Sequence, residues 1–352
     1  MNAPIALLIG EIIFEYEAWN ALSPRATLKE YRLGTREDFI QRCKDGEFDG
    51  TKGIFRSNES TMVTGRFTEE ILSVLPKSVK FICHNGGGYD NIDVDGCTRR
   101  GYHILFNYRI WPANNDTVAG IMVSHTPNTN SNAAADTNIF LMLGALRQIT
   151  APILALRRGQ WRGSSFEHGH DPENKMLGII GMGDVGIAVA KRAQAFGMKV
   201  QYYNYDVLAA SSAPGATYVT LEDLLETSDV IMLCIALTES TRHMLGSCEF
   251  ARMKKGVVIV NGSRGALIDE NALLAALEDG TVFSAGLDVF DSEEPDVREE
   301  LINNEKVVLL PHIAAATVET FTTMEKLAVE NIKSALFNGK LVTPVPEHVK
   351  QH

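Results

Sequence analysis

Two side chains suited to chemistry on a carbonyl compound follow runs of apolar residues. Arg264 lies in the run 261–267, and His312 lies in the run 309–317. A guanidinium can bind a carboxylate through two parallel hydrogen bonds and polarise a neighbouring carbonyl. A histidine beside a carboxylate can stay protonated and donate its proton to the alkoxide that forms when hydride attacks a carbonyl. A surface arginine and a structural histidine are the alternatives, and none of the other eight histidines is assigned chemistry.

A glycine-rich loop offers backbone donors instead of side chains. Three successive glycines, residues 86–88, lie in the run 84–90 after a strand predicted over 79–83. Successive backbone N–H groups can form a concave anion site, which a substrate carboxylate would fit. A flexible turn that exploits the conformational freedom of glycine is the alternative.

The run Gly181-Met182-Gly183-Asp184-Val185-Gly186 has the spacing of a dinucleotide fingerprint. A strand predicted over 176–180 leads into it, an amphipathic helix over 187–196 follows, and a second strand over 199–203 comes next. That context is the one the fingerprint requires. The first glycine permits a tight turn, the second lets the pyrophosphate approach the backbone, and the third lets helix and strand pack closely. The N-terminus of the helix then favours phosphate.

Together these runs resemble the D-isomer-specific 2-hydroxyacid dehydrogenase family over nearly the whole chain, residues 102–120 excepted. The family's catalytic arginine, in Asn-x-x-Arg-Gly, corresponds to Arg264, and its catalytic histidine, in Pro-His-Ile, corresponds to His312. Its catalytic glutamate lies 29 residues after the arginine and directly before a proline. Here spacing selects Glu293, whereas the proline selects Glu294. We favour Glu293, because an unbroken register along the preceding strand fixes it, and Glu294 remains the alternative.

The resemblance also implies the remaining roles. The backbone of Gly87 and Gly88 would bind the carboxylate of a 2-oxo acid together with Arg264. His312, kept protonated by the glutamate, would donate a proton to the oxygen while the nicotinamide delivers hydride to C2. Beyond the fingerprint, the residues expected to contact the cofactor are Asn204, Ala236, Thr241 and Asp288.

The choice of nicotinamide depends on the residue that ends the second strand of the fingerprint. NAD-dependent relatives carry an acid there, whose carboxylate accepts from the ribose hydroxyls and repels a 2′-phosphate. Asn204, 18 residues after Gly186, is neutral and removes that barrier to NADPH. The next residue, Tyr205, stands where relatives that prefer NADPH often carry an arginine. The chain therefore lacks the acid that would repel NADPH, but it also lacks the arginine that would attract it. We expect NADPH to be favoured over NADH, and no metal.

The composition excludes several classes of partner. A formal net charge of −11 argues against binding nucleic acid or an anionic membrane through bulk charge. No run of 18 apolar residues predicts a membrane span. The five cysteines are odd in number and lack CxxC spacing, so we interpret them as core residues of a protein in a reducing compartment. The first residues do not resemble a secretory leader, and we expect a cytoplasmic protein.

The alternation of strand and helix signals over 352 residues predicts an α/β fold. We expect two Rossmann-like or flavodoxin-like βα domains with parallel sheets and a cleft between them. Residues 1–120 and 318–352 would form a discontinuous substrate-binding (catalytic) domain, because a last helix over 318–337 is predicted to pack back on the first domain. Residues 121–317 would form the dinucleotide-binding domain.

Two segments depart from this regular alternation. A long helix is predicted over 133–155, with small and apolar residues on several faces. That pattern is typical of a helix in an interface. Because members of the family commonly form dimers, we expect a homodimer. Residues 102–120 have neither helical nor strand periodicity. Such a stretch inside a compact domain is unusual. It is either a surface insertion or a translated intron, and we favour the intron.

Within the family, Asn204 and the stretch 87–93 resemble the glyoxylate/hydroxypyruvate reductases. That likeness predicts reduction of a small 2-oxo acid to the D-2-hydroxy acid. A D-mandelate dehydrogenase-like enzyme using NAD is the alternative. A nucleotide-sensing binding module with the same fold is a third hypothesis, which the absence of an obvious tail or basic patch disfavours.

Overall fold

The computed structural model of the chain describes residues 3–100, 120–161, 167–292 and 297–349. The chain divides into two compact units. The first comprises Met1–Asn130 and Thr317–His352, and the second comprises Ser131–Ala316. Of the segment 102–120 that the sequence singles out, only Gly120 lies within the described residues.

Strands and helices alternate along most of the described chain. The strands are β1 (Ile5–Ile9), β2 (Thr27–Tyr31), β3 (Thr51–Ser57), β4 (Phe81–Asn85), β5 (Met122–Ser124), β6 (Met176–Ile180), β7 (Lys199–Tyr203), β8 (Ala216–Tyr218), β9 (Val230–Leu233), β10 (Val257–Asn261), β11 (Val282–Leu287) and β12 (Val307–Leu309). The helices are α1 (Tyr16–Asn20), α2 (Arg36–Lys44), α3 (Thr61–Thr64), α4 (Glu69–Val74), α5 (Val94–Arg99), α6 (Ser131–Leu146), α7 (Thr150–Arg157), α8 (Asp184–Ala195), α9 (Leu221–Thr227), α10 (Ser247–Phe250), α11 (Glu270–Glu278), α12 (Glu299–Ile302), α13 (Val318–Asn338) and α14 (Pro346–Val349).

The first unit is built on a parallel sheet with the strand order β2-β1-β3-β4-β5. This is the strand order of the flavodoxin-like fold. Helix α13 packs on β3 and β4, where Ile332 and Leu336 join the buried core beside Phe55. The helix begins at the Thr317 cap, whose hydroxyl accepts from the Thr320 N–H, and ends at Gly339 in the left-handed conformation.

The second unit is built on a larger parallel sheet with the strand order β12-β11-β10-β9-β6-β7-β8. Its central strands are continuous apolar runs, and β9 and β10 are buried throughout. Helices α6 and α8 contribute to one hydrophobic cluster, and α9 and α11 contribute to another. Helices α8, α9 and α11 each bury one apolar face, whereas α6 is buried on most of its surface. The unit is doubly wound, as the alternating pattern predicts.

The predicted domain boundary at 121 is corrected by the sheet of the first unit. Strand β5 pairs with β4, with Phe81 opposite Met122 and Cys83 opposite Ser124. The run at 121–123 therefore ends the first sheet instead of opening the second. The second unit begins at Ser131, and the first unit resumes at Thr317.

The long helix predicted over 133–155 is two helices, α6 and α7, which meet at 80°. Gln148 takes a left-handed φ of 45° between them. Its N–H donates to the Ala145 carbonyl, and the Ile149 N–H donates to the Gly144 carbonyl, which together form a Schellman motif. Glycine usually marks that position, so a glutamine there gave the sequence pattern no signal. In the described part of the chain no single helix is long and apolar enough to span a membrane, although this bent pair passes that test jointly.

Candidate functional site

Most residues assigned to chemistry or cofactor binding follow the carboxyl ends of neighbouring strands in the second unit. In sheet order, His312 follows β12, Asp288 follows β11, Arg264 follows β10, Ala236 follows β9, the loop 181–186 follows β6 and Asn204 follows β7. Parallel strands all end at one edge of their sheet, so the topology brings these loops to the same edge. The strand order reverses between β9 and β6, and ligands bind open α/β sheets at such a reversal.

Two of the fingerprint glycines are required by contacts within the protein. Gly181 has a φ of +98°, and a Cβ there would lie 2.6 Å from the carbonyl oxygen of Cys234. A Cβ at Gly186 would lie 2.3 Å from the carbonyl oxygen of Gly181. The first glycine therefore lets the loop turn against β9, and the third lets α8 pack on the loop.

Gly183 differs, because a Cβ at this position would face open space. No packing contact in the described part of the chain demands a glycine there, whereas the close approach of a pyrophosphate does. Gly183 also precedes the first turn of α8, which has no side-chain cap and begins with Asp184 and Val185. A helix N-terminus without such a cap offers N–H groups and a positive dipole end to phosphate. The loop therefore fits a dinucleotide.

The neighbouring loops complete this edge of the sheet. Asn204 is half-buried, and its side-chain amide donates to the Asp206 carbonyl at 3.2 Å. The buried Thr241 hydroxyl donates to the Ala236 carbonyl at 2.8 Å and accepts from the Thr238 N–H at 2.7 Å. Thr241 thus fixes the shape of the loop that carries Ala236. The predicted contacts of these residues with the cofactor remain predictions.

Arg264 lies in a loop whose flanking residues explain its sequence pattern. The Asn261 side chain donates to the Arg264 carbonyl at 2.9 Å and accepts from the Ser263 N–H at 3.1 Å. A Cβ at Gly265 would lie 1.8 Å from the carbonyl carbon of Phe290. The asparagine therefore closes the loop, and the glycine lets it pass the chain that follows β11. Arg264 is half-buried and extended, with a φ of −142°.

His312 is held by the buried carboxylate at the end of the neighbouring strand. The His312 N–H donates to the Asp288 carbonyl at 2.7 Å, and the N–H groups of Ile313 and Ala314 donate to Asp288 Oδ1 and Oδ2, each at 2.8 Å. His312 itself is exposed and takes a left-handed φ of 54°, which is costly for a residue other than glycine. Asp288 thus braces the histidine loop, a role that the sequence did not suggest. Its predicted contact with the cofactor stays a prediction.

The two candidate glutamates cannot be placed in this arrangement. Glu293 and Glu294 lie outside the described residues, which resume at Val297. The choice between them as the partner of His312 therefore rests on the sequence alone.

The glycine loop after β4 in the first unit is anchored through its carbonyl oxygens. The Gly86 carbonyl accepts from the Thr126 N–H at 2.9 Å, the Gly87 carbonyl contacts His125 Nδ1 at 2.9 Å, and the Gly88 carbonyl contacts His84 Nε2 at 3.0 Å. In a trans peptide the N–H points opposite to the preceding carbonyl. Anchoring these carbonyls therefore directs the N–H groups of residues 87–89 away from the anchors. Gly87 is half-buried and Gly88 is exposed, so the loop can present donors to an anion.

His84 and His125 are functional candidates that sequence reasoning missed. Only His312 among the histidines was assigned a role. His84 opens the run 84–90, but the sequence drew attention to the glycines of that run and not to the histidine. The available signal was position, since His84 is the penultimate residue of β4, which runs into the glycine loop, and His125 directly follows β5. That signal becomes specific only when the pairing of β4 with β5 is known.

The cysteines and potential metal ligands form no site of their own among the described residues. Burial raises the pKa of the Cys43, Cys83, Cys97 and Cys234 thiols to about 12. Cys248 is exposed, unlike the core residue that the sequence predicted. In the ranges that the structure describes, no three His, Cys, Asp or Glu side chains come together as metal ligands would.

A doubly wound sheet, a dinucleotide loop at its reversal point, and an arginine and a braced histidine at the same edge define an NAD(P)-dependent oxidoreductase. The comparison with known families makes this specific. Residues 139–314 match the NAD binding domain of D-isomer specific 2-hydroxyacid dehydrogenases, and residues 39–106 match their catalytic domain. The chain belongs to the D-isomer specific 2-hydroxyacid dehydrogenase family.

Individual relatives span the whole chain. It is 52% identical to 4-methyl-2-oxopentanoate reductase A of Aspergillus oryzae over 98% of both chains. Among solved structures, a glyoxylate reductase from Paecilomyes thermophila matches with a TM-score of 0.89 and 50% identity over 99% of this chain and 100% of that one. A D-mandelate dehydrogenase of Rhodotorula graminis matches with a TM-score of 0.84 and 30% identity over 98% of both chains. An NADPH-dependent glyoxylate/hydroxypyruvate reductase of Sinorhizobium meliloti, in complex with NADP and malonate, matches with a TM-score of 0.80 and 28% identity over 98% of both chains.

Proposed function

We propose that the protein reduces a small 2-oxo acid, with glyoxylate and hydroxypyruvate as the expected substrates, to the corresponding D-2-hydroxy acid. The observation that carries the proposal is the loop of His312 braced on Asp288, at the same sheet edge as Arg264 and the dinucleotide loop. Residues 181–186 would hold a nicotinamide cofactor, which would supply the hydride.

The residues of the chain account for the remaining steps. Arg264 and the N–H groups of Gly87 and Gly88 bind the carboxylate, and the guanidinium polarises the adjacent carbonyl. His312 donates a proton to the carbonyl oxygen as C2 gains the hydride, so the product is the neutral hydroxyl and His312 is left uncharged. Glu293, or Glu294 in its place, keeps His312 protonated before that step. Solvent returns the proton after product release.

Replacing the histidine tests the assignment of the proton donor. We expect His312→Ala to lower kcat by roughly 100-fold or more, as loss of a general acid does, with a small change in KM for the 2-oxo acid. Steady-state rates with NADPH and glyoxylate would measure both parameters. Turnover equal to that of the wild type would overturn the role of His312.

We further propose that NADPH is preferred over NADH. The support is Asn204, which leaves the end of β7 without the carboxylate that would repel a 2′-phosphate. The NADPH-dependent relative of 28% identity is consistent with this preference. Asn204→Asp should lower kcat/KM for NADPH and raise it for NADH. If both values keep their wild-type ratio, Asn204 does not select the cofactor.

A larger substrate is the second candidate. The relative at 52% identity is named as a 4-methyl-2-oxopentanoate reductase, and the relative solved as D-mandelate dehydrogenase favours an aromatic 2-hydroxy acid. Initial rates of NADPH and NADH oxidation with glyoxylate, hydroxypyruvate, 4-methyl-2-oxopentanoate and phenylglyoxylate separate these candidates. Fast turnover of the first two with NADPH supports our proposal. A kcat/KM at least tenfold higher for either larger acid would replace it, and binding of NADPH without any turnover would favour the binding module.

We also propose that the enzyme is a cytoplasmic homodimer. The support for self-association is a set of exposed apolar side chains on or just after α6 and α7, namely Phe140, Ile153, Leu156 and Trp161. Light scattering after gel filtration should give the mass of two chains, and Phe140→Asp with Leu156→Asp should give that of one. Val207→Asp, at another exposed apolar position outside these helices, is the matched control. A single-chain mass for the wild type would contradict the dimer.

A further inference from the structure

A buried arginine lies beneath the glycine loop of the first unit. Arg56, at the end of β3, is fully buried, and its Nη2 donates to the Thr61 hydroxyl at 2.7 Å. Its Nε is buried without a hydrogen-bond partner, and in the described ranges no carboxylate lies within ion-pair distance of the guanidinium. A buried cation without a carboxylate partner is costly, so its retention calls for a reason.

The arginine fixes the state of the histidine beside it. Arg56 and His84 are paired across β3 and β4, and Arg56 Nη1 lies 3.3 Å from His84 Nδ1. A guanidinium can only donate hydrogen bonds, so Nδ1 must accept and carries no proton. His84 is therefore the neutral tautomer with its proton on Nε2. That N–H donates to the Gly88 carbonyl at 3.0 Å.

The loop is shaped to admit this ring. A Cβ at Gly86 would lie 2.4 Å from His84 Nε2, so only a glycine lets the imidazole reach the Gly88 carbonyl. The carbonyl that His84 holds belongs to the peptide whose N–H is that of Tyr89. Because carbonyl and N–H point in opposite directions across a trans peptide, the contact aims the Tyr89 N–H away from His84. A hydrogen bond to the carbonyl also polarises the peptide and strengthens its N–H as a donor.

We propose that Arg56 and His84 are positioning residues of the anion-binding loop, and that the Tyr89 N–H is a third backbone donor to the substrate carboxylate. Arg56 selects the tautomer of His84, His84 orients the peptide between Gly88 and Tyr89, and that peptide binds the anion. The inference rests on the proposed function, which assigns a carboxylate to this loop.

The charge of Arg56 acts in the same direction as its hydrogen bonds. The chain carries a formal net charge of −11, which disfavours an anionic substrate. The positive charge of Arg56 is separated from the loop by the His84 side chain. It partly offsets the negative potential of the chain at the loop, because burial limits the screening of this charge by solvent. Burial lowers the pKa of Arg56 to about 9, while Glu59 and Asp90 favour its charged form, so it stays protonated at neutral pH.

Arg56, His84 and the peptide between Gly88 and Tyr89 are called the relay below. Binding of oxalate to the enzyme saturated with NADPH tests this relay without requiring turnover. We expect His84→Leu and Arg56→Met each to weaken the oxalate Kd about tenfold and to raise the KM for glyoxylate by a similar factor, with kcat and the KM for NADPH within about twofold of the wild type. His84→Gln keeps an N–H donor near the position of Nε2 and should restore most of the affinity. The double variant should bind about as weakly as either single variant, because both act through the same peptide.

A control for general loss of stability comes from the same unit. His348 is also buried, with its Nδ1 accepting from the Val123 N–H at 3.0 Å and its Nε2 2.9 Å from the Thr98 hydroxyl, and neither partner belongs to the glycine loop. His348→Leu should lower the melting temperature without changing the oxalate Kd.

The outcomes separate this inference from the proposed function. If the wild type turns over 2-oxo acids while His84→Leu and Arg56→Met bind oxalate as it does, the function stands and the relay is wrong. The relay is also wrong if the two losses multiply in the double variant, or if His84→Gln binds as weakly as His84→Leu. If the wild type turns over no 2-oxo acid, the proposed function fails. Even then, the action of Arg56 through His84 would be established if His84→Leu, Arg56→Met and the double variant all lost oxalate affinity to the same extent.

Discussion

The two sheets each end in loops suited to a ligand, but these loops are held in different ways. In the second unit the dinucleotide loop is fixed by glycines that let backbone meet backbone, at Gly181 and Gly186. In the first unit the glycine loop is held by the buried side chain of His84, which Arg56 on the neighbouring strand contacts in turn. The glycine contacts of the dinucleotide loop can be recognised from a short sequence pattern. The side-chain contacts of the glycine loop depend on which strands are neighbours in the sheet, and no local sequence pattern encodes that.

A second loop of the first unit shows the same dependence on distant residues. The N–H groups of Ile13, Phe14 and Glu15, after β1, donate to the carboxylate of Glu325 at 2.8–3.0 Å. Glu325 is buried on α13, about 310 residues further along the chain. A charged acceptor satisfies several backbone donors at once, so one carboxylate can fix a whole loop. The carboxylate is visible in the sequence only as an ordinary acid on an amphipathic helix.

Substituting the fingerprint glycines gives the largest effect and tests the first half of the comparison. Gly186→Ala places a Cβ 2.3 Å from the Gly181 carbonyl oxygen, and we expect it to destabilise the second unit by about 3 kcal/mol and to abolish NADPH binding. Chemical denaturation and fluorescence titration with NADPH would measure these effects. Gly183→Ala meets no atom of the residues that the structure describes and is the matched control for folding.

The control variant also separates protein packing from ligand approach. Gly183→Ala should fold with the stability of the wild type to within about 0.5 kcal/mol. Its affinity for NADPH should nevertheless fall at least tenfold, because the methyl group would occupy space needed by the pyrophosphate. Unchanged NADPH affinity in this variant would mean that the cofactor does not approach the second glycine.

Removing the charge of Asp288 gives the next largest effect. The two oxygens of this buried carboxylate accept from the Ile313 and Ala314 N–H groups, and an amide could serve only one of them. We expect Asp288→Asn to cost about 2 kcal/mol of folding stability and to lower kcat/KM roughly 100-fold, because His312 loses its fixed position. Denaturation curves and steady-state rates would measure both. A variant with the stability of the wild type would show that the carboxylate does not brace the histidine loop.

The fold was predictable because its signals are local and repeat. Strands β6 and β7 have the bounds that the apolar runs predict, since such runs act over a few residues. The break at Gln148 was not predictable, because a glutamine in the left-handed conformation leaves no signature. The same limit holds at the site. Short motifs single out Arg264, His312 and the fingerprint as candidates, whereas the proposed roles of His84 and Arg56 follow only from the pairing of β3 with β4.

The smallest effect concerns a buried titratable side chain of the first unit. Burial lowers the pKa of His348, and its Nδ1 accepts from the Val123 N–H while Nε2 lies 2.9 Å from the Thr98 hydroxyl. Because the pKa is lower in the folded state, the unfolded chain binds the proton first as the pH falls below about 6.5. The stability that neutral His348 contributes is therefore fully present above that pH and is lost toward the folded-state pKa. Urea denaturation at pH 7.5 and 5.5 should show a larger loss of stability for the wild type than for His348→Gln, which cannot titrate. Equal losses for the two proteins would show that protonation of His348 does not limit the stability of the first unit in acid.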